Sequence, residues 1–178
     1  MALMMNNTKV ADAIVMLSKT INPVFRNNSL NWKIKDELDF LENYIGMMRV
    51  RYMSCLEYKM DCDNCLYEKL FPRFILQPVI ENCFVHNDLG GKEVVIYARI
   101  CKEGKGFRII VRNKANNVNA EELERVNEKL HKSREETRDD TVGLRNVLRR
   151  LKYLHEENDL ILKAGESEIV TEILIWNE

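Results

Sequence analysis

The stretch Leu76 to Asp88, LQPVIENCFVHND, constrains this chain more than any other part of it. Its apolar residues read as a helix, yet it carries a misplaced polar pair, Glu81 and Asn82, with His86 one turn further on. Residues four apart share a helix face, so Asn82 and His86 point the same way. An apolar helix that aligns an amide and an imidazole has something polar to hold there. Far downstream, VGLRNVLRRL (Val142 to Leu151) places a glycine at the mouth of a second amphipathic helix. Together the two segments point to a nucleotide site.

Composition narrows the remaining choices. A chain of 178 residues is one domain plus an appendage, or two very small domains. Hydrophobic residues at 46% supply one core. A net charge of -1 gives no electrostatic case for nucleic acid as a partner. The longest apolar run falls far short of the roughly 20 residues a membrane span needs, and MALMMNNTKV is too polar too soon for a secretory signal. The 5 cysteines, an odd number, fit reduced thiols and a cytosolic setting. Cys62 and Cys65 form a lone CxxC with no second pair to complete a zinc site, and read as two thiols in a surface turn. Met1, Met4 and Met5 read as helix packing rather than a copper site.

Periodicity sets the elements. Val10, Ile14, Leu17 and Ile21 make a first helical stripe, broken by Pro23 and the polar run that follows. Leu38, Leu41, Ile45, Met48 and Tyr52 make a second, over Lys35 to Tyr52, with acidic residues early and arginines late, as the helix dipole favours. Leu56 to Met60 and Leu66 to Phe71 read as short strands, and Pro72 suits the first turn of the helix that contains Asn82. Pro78 inside that helix predicts a kink or a restart, and Gly90-Gly91 an end. Strands follow over Val94 to Ile100 and Phe107 to Val111. Asn119 with Glu122 resembles a capping box, opening a helix through Leu130. Ser133 to Thr141 is charged and aperiodic, a mobile loop. Leu144 to Leu154 is the next helix, and Asp159 to Ala164 with Glu168 to Trp176 a closing hairpin. His131 and His155 lie on charged helix surfaces and read as solvated. The sum is two leading helices and then an α+β sandwich, one mixed sheet under a helical layer.

The order LQPVIEN, GGKEVVIYARI, FRIIVRN, VGLRNVLRRLKYL resembles the sensor histidine kinases of LytS/YesM type. The resemblance implies a Bergerat (GHKL) ATP-binding fold, a two-layer α/β sandwich preceded by two helices. Residues 1–52 would be the tail of the dimerisation and phosphoacceptor region with its linker helix, and 53–178 the catalytic domain. It implies ATP and Mg²⁺ as cofactors, with Asn82 ligating the metal, since Mg²⁺ favours hard oxygen ligands. Glu81 and His86 take the catalytic positions, His86 facing the phosphates and Glu81 positioning water or metal. Asn113, Ala115 and Asn117 occupy the adenine-contacting box, and Thr141, Gly143, Leu144, Arg145 and Asn146 the second glycine box, with Ser133 to Thr141 as the lid. The implied partners are a second copy of the full-length protein and a response regulator. The implied setting is the cytoplasmic part of a bacterial inner-membrane receptor, tied to the membrane only through segments outside this stretch.

Three departures qualify the resemblance. The family's phosphoacceptor histidine lies in a motif like HFxxNxL, and His86, His131 and His155 stand in no such setting, so the stretch reads as a piece of a longer receptor. The family's DNGxG box reads Asn113-Lys114-Ala115-Asn116-Asn117: the aspartate has become an amide and both glycines are replaced. Thr141 stands where the second glycine box begins with glycine. An amide still offers a carbonyl oxygen to an adenine amino group, without the charge that roughly doubles such a bond. Two functions follow from these residues: a histidine kinase catalytic domain, or a degenerate relative that keeps the fold as a dimerisation and signalling scaffold and binds ATP weakly or not at all.

Overall fold

The computed structural model describes residues 29–52, 55–87, 93–115, 118–132 and 142–176, with His86 and Asn87 described by backbone alone. The expected first helix, the Gly90-Gly91 stop and the charged loop before Val142 lie outside the described residues.

Strand β1 (Asn31–Lys33) leads into helix α1 (Ile34–Tyr52). Strand β2 (Leu56–Cys62), a 3-10 turn (Asn64–Leu66) and strand β3 (Leu70–Pro72) follow, then helix α2 (Leu76–Asn87). Strands β4 (Val94–Glu103) and β5 (Gly106–Lys114) form a hairpin. Helices α3 (Ala120–His131) and α4 (Val142–Leu154) come next, and strands β6 (Asp159–Ala164) and β7 (Glu168–Ile175) close the fold. The main sheet runs β2-β4-β5-β7-β6, with β2 parallel to β4 and every other pair antiparallel. β1 and β3 pair separately.

Alternation along the strands decides which face is covered. Ile96, Ala98 and Ile100 on β4, Phe107, Ile109 and Val111 on β5, Leu160 and Leu162 on β6, and Ile173 and Ile175 on β7 are buried in one core. The helices bring Ile34, Leu41 and Ile45 of α1, Leu76, Val79 and Ile80 of α2, and Leu144, Val147, Leu148 and Leu151 of α4 into the same core. Residues at three- and four-residue spacing make these stripes. α1 therefore packs into the sandwich, although its sequence reads as a linker. The opposite sheet face carries ion pairs: Arg112 with Glu168 at 2.7 Å, Lys163 with Glu172 at 2.7 Å, Arg99 with Asp61 at 3.1 Å, and Arg108 with Glu103. Exposed pairs of this kind add little stability each; they keep the face wetted.

Edge strand β6 is covered by a side chain. Asn127 of α3 donates from Nδ2 to Leu162 O at 2.7 Å and accepts at Oδ1 from Leu162 N at 2.9 Å. Its amide thus serves both backbone groups of one edge residue, which blunts the edge against further pairing. Asn119 caps α3, accepting from Glu121 N at 3.0 Å and Glu122 N at 3.4 Å.

Several sequence expectations change. Leu66 to Phe71 is a 3-10 turn followed by β3, and Pro72 ends that strand instead of opening a helix. Pro78 is the third residue of α2, where an N–H would have no intrahelical acceptor, so it neither kinks nor restarts the helix. His131 is no free surface group: Nε2 meets Asp159 Oδ1 at 2.9 Å and Nδ1 meets Asn127 O at 2.8 Å, tying α3 to β6. His155 accepts at Nδ1 from Glu157 N at 3.2 Å and closes the turn after α4. Among the described residues no helix is long and apolar enough to cross a membrane.

Candidate nucleotide site

Three elements bring the expected residues toward one region. α2 carries Glu81, Asn82 and His86; the end of β5 carries Asn113; α4 opens at Val142-Gly143. α2 and α4 are in contact, and a methyl built on Gly143 would stand 3.7 Å from Pro78 Cβ. That is ordinary van der Waals distance, so packing does not demand glycine there. Pro78 and Asn82 are one helical turn apart on α2, so Asn82 lies on the row that faces the mouth of α4. His86 continues that row by backbone position.

Asn82 is half-buried, and among the described residues its amide makes no hydrogen bond. Its amide is therefore open to solvent and to any ligand that enters there. An amide oxygen is a hard ligand of the kind Mg²⁺ accepts, and a helix N-terminus of the kind α4 presents favours phosphate. Glu81 is half-buried beside it and accepts from Gln77 Nε2 at 2.8 Å, which fixes its carboxylate along the helix. No cluster of three or more His, Cys, Asp or Glu suited to a metal occurs among the described residues. Mg²⁺ held through one protein ligand and substrate phosphates needs none.

Asn113 is 3% exposed and donates from Nδ2 to Cys83 O of α2 at 3.5 Å. It stands between the sheet and the helix at the end of an otherwise apolar strand face. Ala115 has its N–H committed to Ser167 O at 3.1 Å, which fastens the chain after β5 to the β6–β7 turn. Leu144 has its side chain in the core, so any role at the site falls to its backbone. Arg145 is half-buried and Asn146 exposed. Asn117, Thr141 and the His86 side chain lie outside the described residues.

The structure adds residues that the sequence reading passed over. Thr171 of β7 is buried opposite Val111, diagonal to Asn113 on the covered face, so a hydroxyl and an amide share one corner of an apolar sheet. Its signal was a polar residue at a core position of EIVTEILI. Glu37 is fully buried: Oε1 accepts from Leu76 N at 2.8 Å, and Oε2 accepts from Phe74 N at 2.8 Å and from Trp32 Nε1 at 2.6 Å. Burial pushes this carboxyl up to about 7, against the pull of its backbone and indole donors. Its signal was an acid on the apolar stripe of Ile34, Leu41 and Ile45. Burial pushes the Cys83 thiol up to about 12, and that of Cys62 up to about 11 with Asp63 and Asp61 adding to the effect. Neither is a ready nucleophile.

No family model matches the chain. An uncharacterized sensor-like histidine kinase of Staphylococcus epidermidis is 25% identical over 125 residues, 69% of this chain and 24% of that protein. The sensor histidine kinase YpdA of Escherichia coli is 31% identical over 129 residues, 70% of this chain and 21% of that protein. The sensor protein LytS of Staphylococcus saprophyticus is 27% identical over 104 residues, 57% of this chain and 17% of that protein. The chain thus spans about a quarter or less of the curated relatives it matches. Among solved structures, the catalytic domain of histidine kinase ThkA aligns with a TM-score of 0.60 at 15% identity, over 82% of this chain and 95% of that one. Histidine kinase ThkA in complex with the response regulator TrrA aligns with a TM-score of 0.56 at 13% identity, over 95% of this chain and 48% of that one. In sequence the relatives of this chain are sensor histidine kinases, LytS among them, and in fold it is a mixed sheet under helices of the kind found in histidine kinase catalytic domains.

Proposed function

We propose that this chain is the catalytic, ATP-binding portion of a two-component sensor histidine kinase. The observation that carries the reading is Asn82: a half-buried amide without a partner among the described residues, one turn from the contact between α2 and Gly143 in the first turn of α4. Asn82 would hold Mg²⁺ through its carbonyl oxygen, and the ion, when bound, neutralises charge on the phosphates. The backbone amides of Gly143 and Leu144, at a helix N-terminus, would receive phosphate oxygens, with Arg145 and Asn146 flanking them. Glu81, oriented by Gln77, would position water or the metal. Asn113, at the end of β5 against α2, would meet the adenine amino group through its side-chain amide. Thr171 lies beside it for a further polar contact. The γ-phosphoryl would go to a histidine outside this stretch and on to a response regulator, in a protein that works as a homodimer at the bacterial inner membrane. Positioning and charge neutralisation supply the rate, as in other phosphoryl transfers.

A second reading keeps the fold as a scaffold with weak or no ATP binding. It is favoured by Ala115, whose N–H is already used by Ser167 O, and by the uncharged Asn113. Calorimetric titration with ATP, with and without Mg²⁺, separates the two. Saturable binding that needs Mg²⁺ and disappears in Asn82→Ala supports the kinase. No saturable binding of ATP or ADP at millimolar concentration leaves the scaffold.

A further inference from the structure

Helix α2 has no capping side chain of its own. Arg73, Phe74 and Ile75 precede it, and none of them offers a side-chain acceptor to the first turn. The acceptor comes from α1, 39 residues earlier, where Glu37 takes Leu76 N on one oxygen and Phe74 N on the other. The same carboxylate takes the Trp32 indole N–H, so β1, α1 and α2 meet on one group. α4 grips the other side of this turn, with Arg150 donating to Arg73 O and to Phe74 O. Phe74 lies at φ 56, a left-handed conformation that a bulky residue holds only when its surroundings impose it. Trp32, Phe40 and Phe74 pack around it with ring centroids 4.9 to 5.7 Å apart. At the far end of α1, Tyr52 stacks on Phe84 of α2 at 5.2 Å. The two helices are therefore held together at both ends, and Asn82 lies between the two holds.

We infer that Glu37 is a positioning residue that couples α1 to the nucleotide site. Displacing α1 moves the first turn of α2, and Asn82 moves with it as part of one hydrogen-bonded helix. This rests on the nucleotide reading above. Coupling between two sites is reciprocal. Magnesium nucleotide held by Asn82 therefore registers at Trp32, whose indole shares the carboxylate.

Trp32 is one of 2 tryptophans, so Trp176→Phe leaves it as the sole indole reporter. In that background, titration with ATP and Mg²⁺ is expected to shift the Trp32 emission in step with calorimetric binding. ATP in EDTA is expected to give a much smaller response. Glu37→Gln keeps the shape of the side chain but supplies one acceptor oxygen in place of two. It is expected to abolish the emission response and weaken Mg²⁺-ATP binding about 10-fold, a change of about 1.4 kcal/mol, with little effect on binding in EDTA. A capping role confined to stability would lower the melting temperature and leave that magnesium-dependent split untouched. Binding with no emission response overturns the inference and leaves the kinase reading standing. Binding in neither protein overturns both. The emission response of the chain with Glu37 intact decides the matter even where Glu37→Gln does not fold.

Discussion

The first turn of α2 and the row of α2 that carries Asn82 are built on opposite terms. At the first turn three donors converge on the two oxygens of Glu37, the ring faces are packed, and the left-handed residue is braced from α1 and α4. Along the Asn82 row, an amide without a partner among the described residues lies one turn from the contact between α2 and Gly143, the second residue of α4. Polar groups satisfied within the protein fix position, and polar groups left over are where a ligand finds its contacts. One helix does both tasks because its two regions are a turn and a half apart.

The comparison can be broken in four ways. Glu37→Ala strands the N–H groups of Phe74 and Leu76 and the Trp32 indole in a buried setting, and is expected to cost about 3 kcal/mol, read as a lower urea midpoint. A loss below about 0.5 kcal/mol, the scale of an ordinary surface change, would show that the turn holds itself.

Acidity tests the same group without mutation. The Glu37 carboxyl stands near 4.5 in an unfolded chain and about 7 in the fold, so the folded state binds the extra proton between those values. Its contribution to stability is complete below pH 4.5 and is lost as pH rises toward 7, a decline on the order of 3 kcal/mol. Glu37→Gln is expected to flatten that part of the stability–pH curve measured by urea unfolding. An unchanged slope would mean that the carboxylate ionises in the fold as easily as in water.

Asn113→Asp exchanges the terms of the other region. A charge buried at that corner of the sheet is expected to lower stability by about 1 to 2 kcal/mol. The same variant is expected to raise ATP affinity roughly tenfold, by giving the adenine amino group a charged acceptor. Stability that falls with no gain in affinity would argue that Asn113 serves the packing of the sheet against α2 and not the nucleotide. Asn82→Ala should have the smallest effect on folding, within about 0.5 kcal/mol, because no bond among the described residues is lost. A large loss of stability there would contradict the picture of an amide held for a ligand.

Elements with a repeating pattern were legible before any coordinates. The stripes of α1 and α4, the Asn119 cap and the closing hairpin were read nearly to their ends, since each is decided by neighbours within a few residues. β1 was missed because three residues are too short to show alternation, and its partner β3 lies across the whole of α1 and β2. His131 was misread for a similar reason: Asp159, which holds it, is 28 residues away. At the candidate site, LQPVIEN named Glu81 and Asn82, whereas Thr171 and Glu37 were hidden among residues that periodicity assigns to the core. An acid on an apolar stripe reads as helix-dipole charge until the donors that surround it are known.

Strands β2 and β4 run side by side in the same direction. A tight hairpin cannot join such neighbours; the polypeptide must first travel back along the sheet before it can start the next strand. α2 lies on that return path. The helix that bears Asn82 is thus also part of the crossover that lets β2 and β4 lie parallel, so a descendant that had abandoned nucleotides would still need a connection along that path.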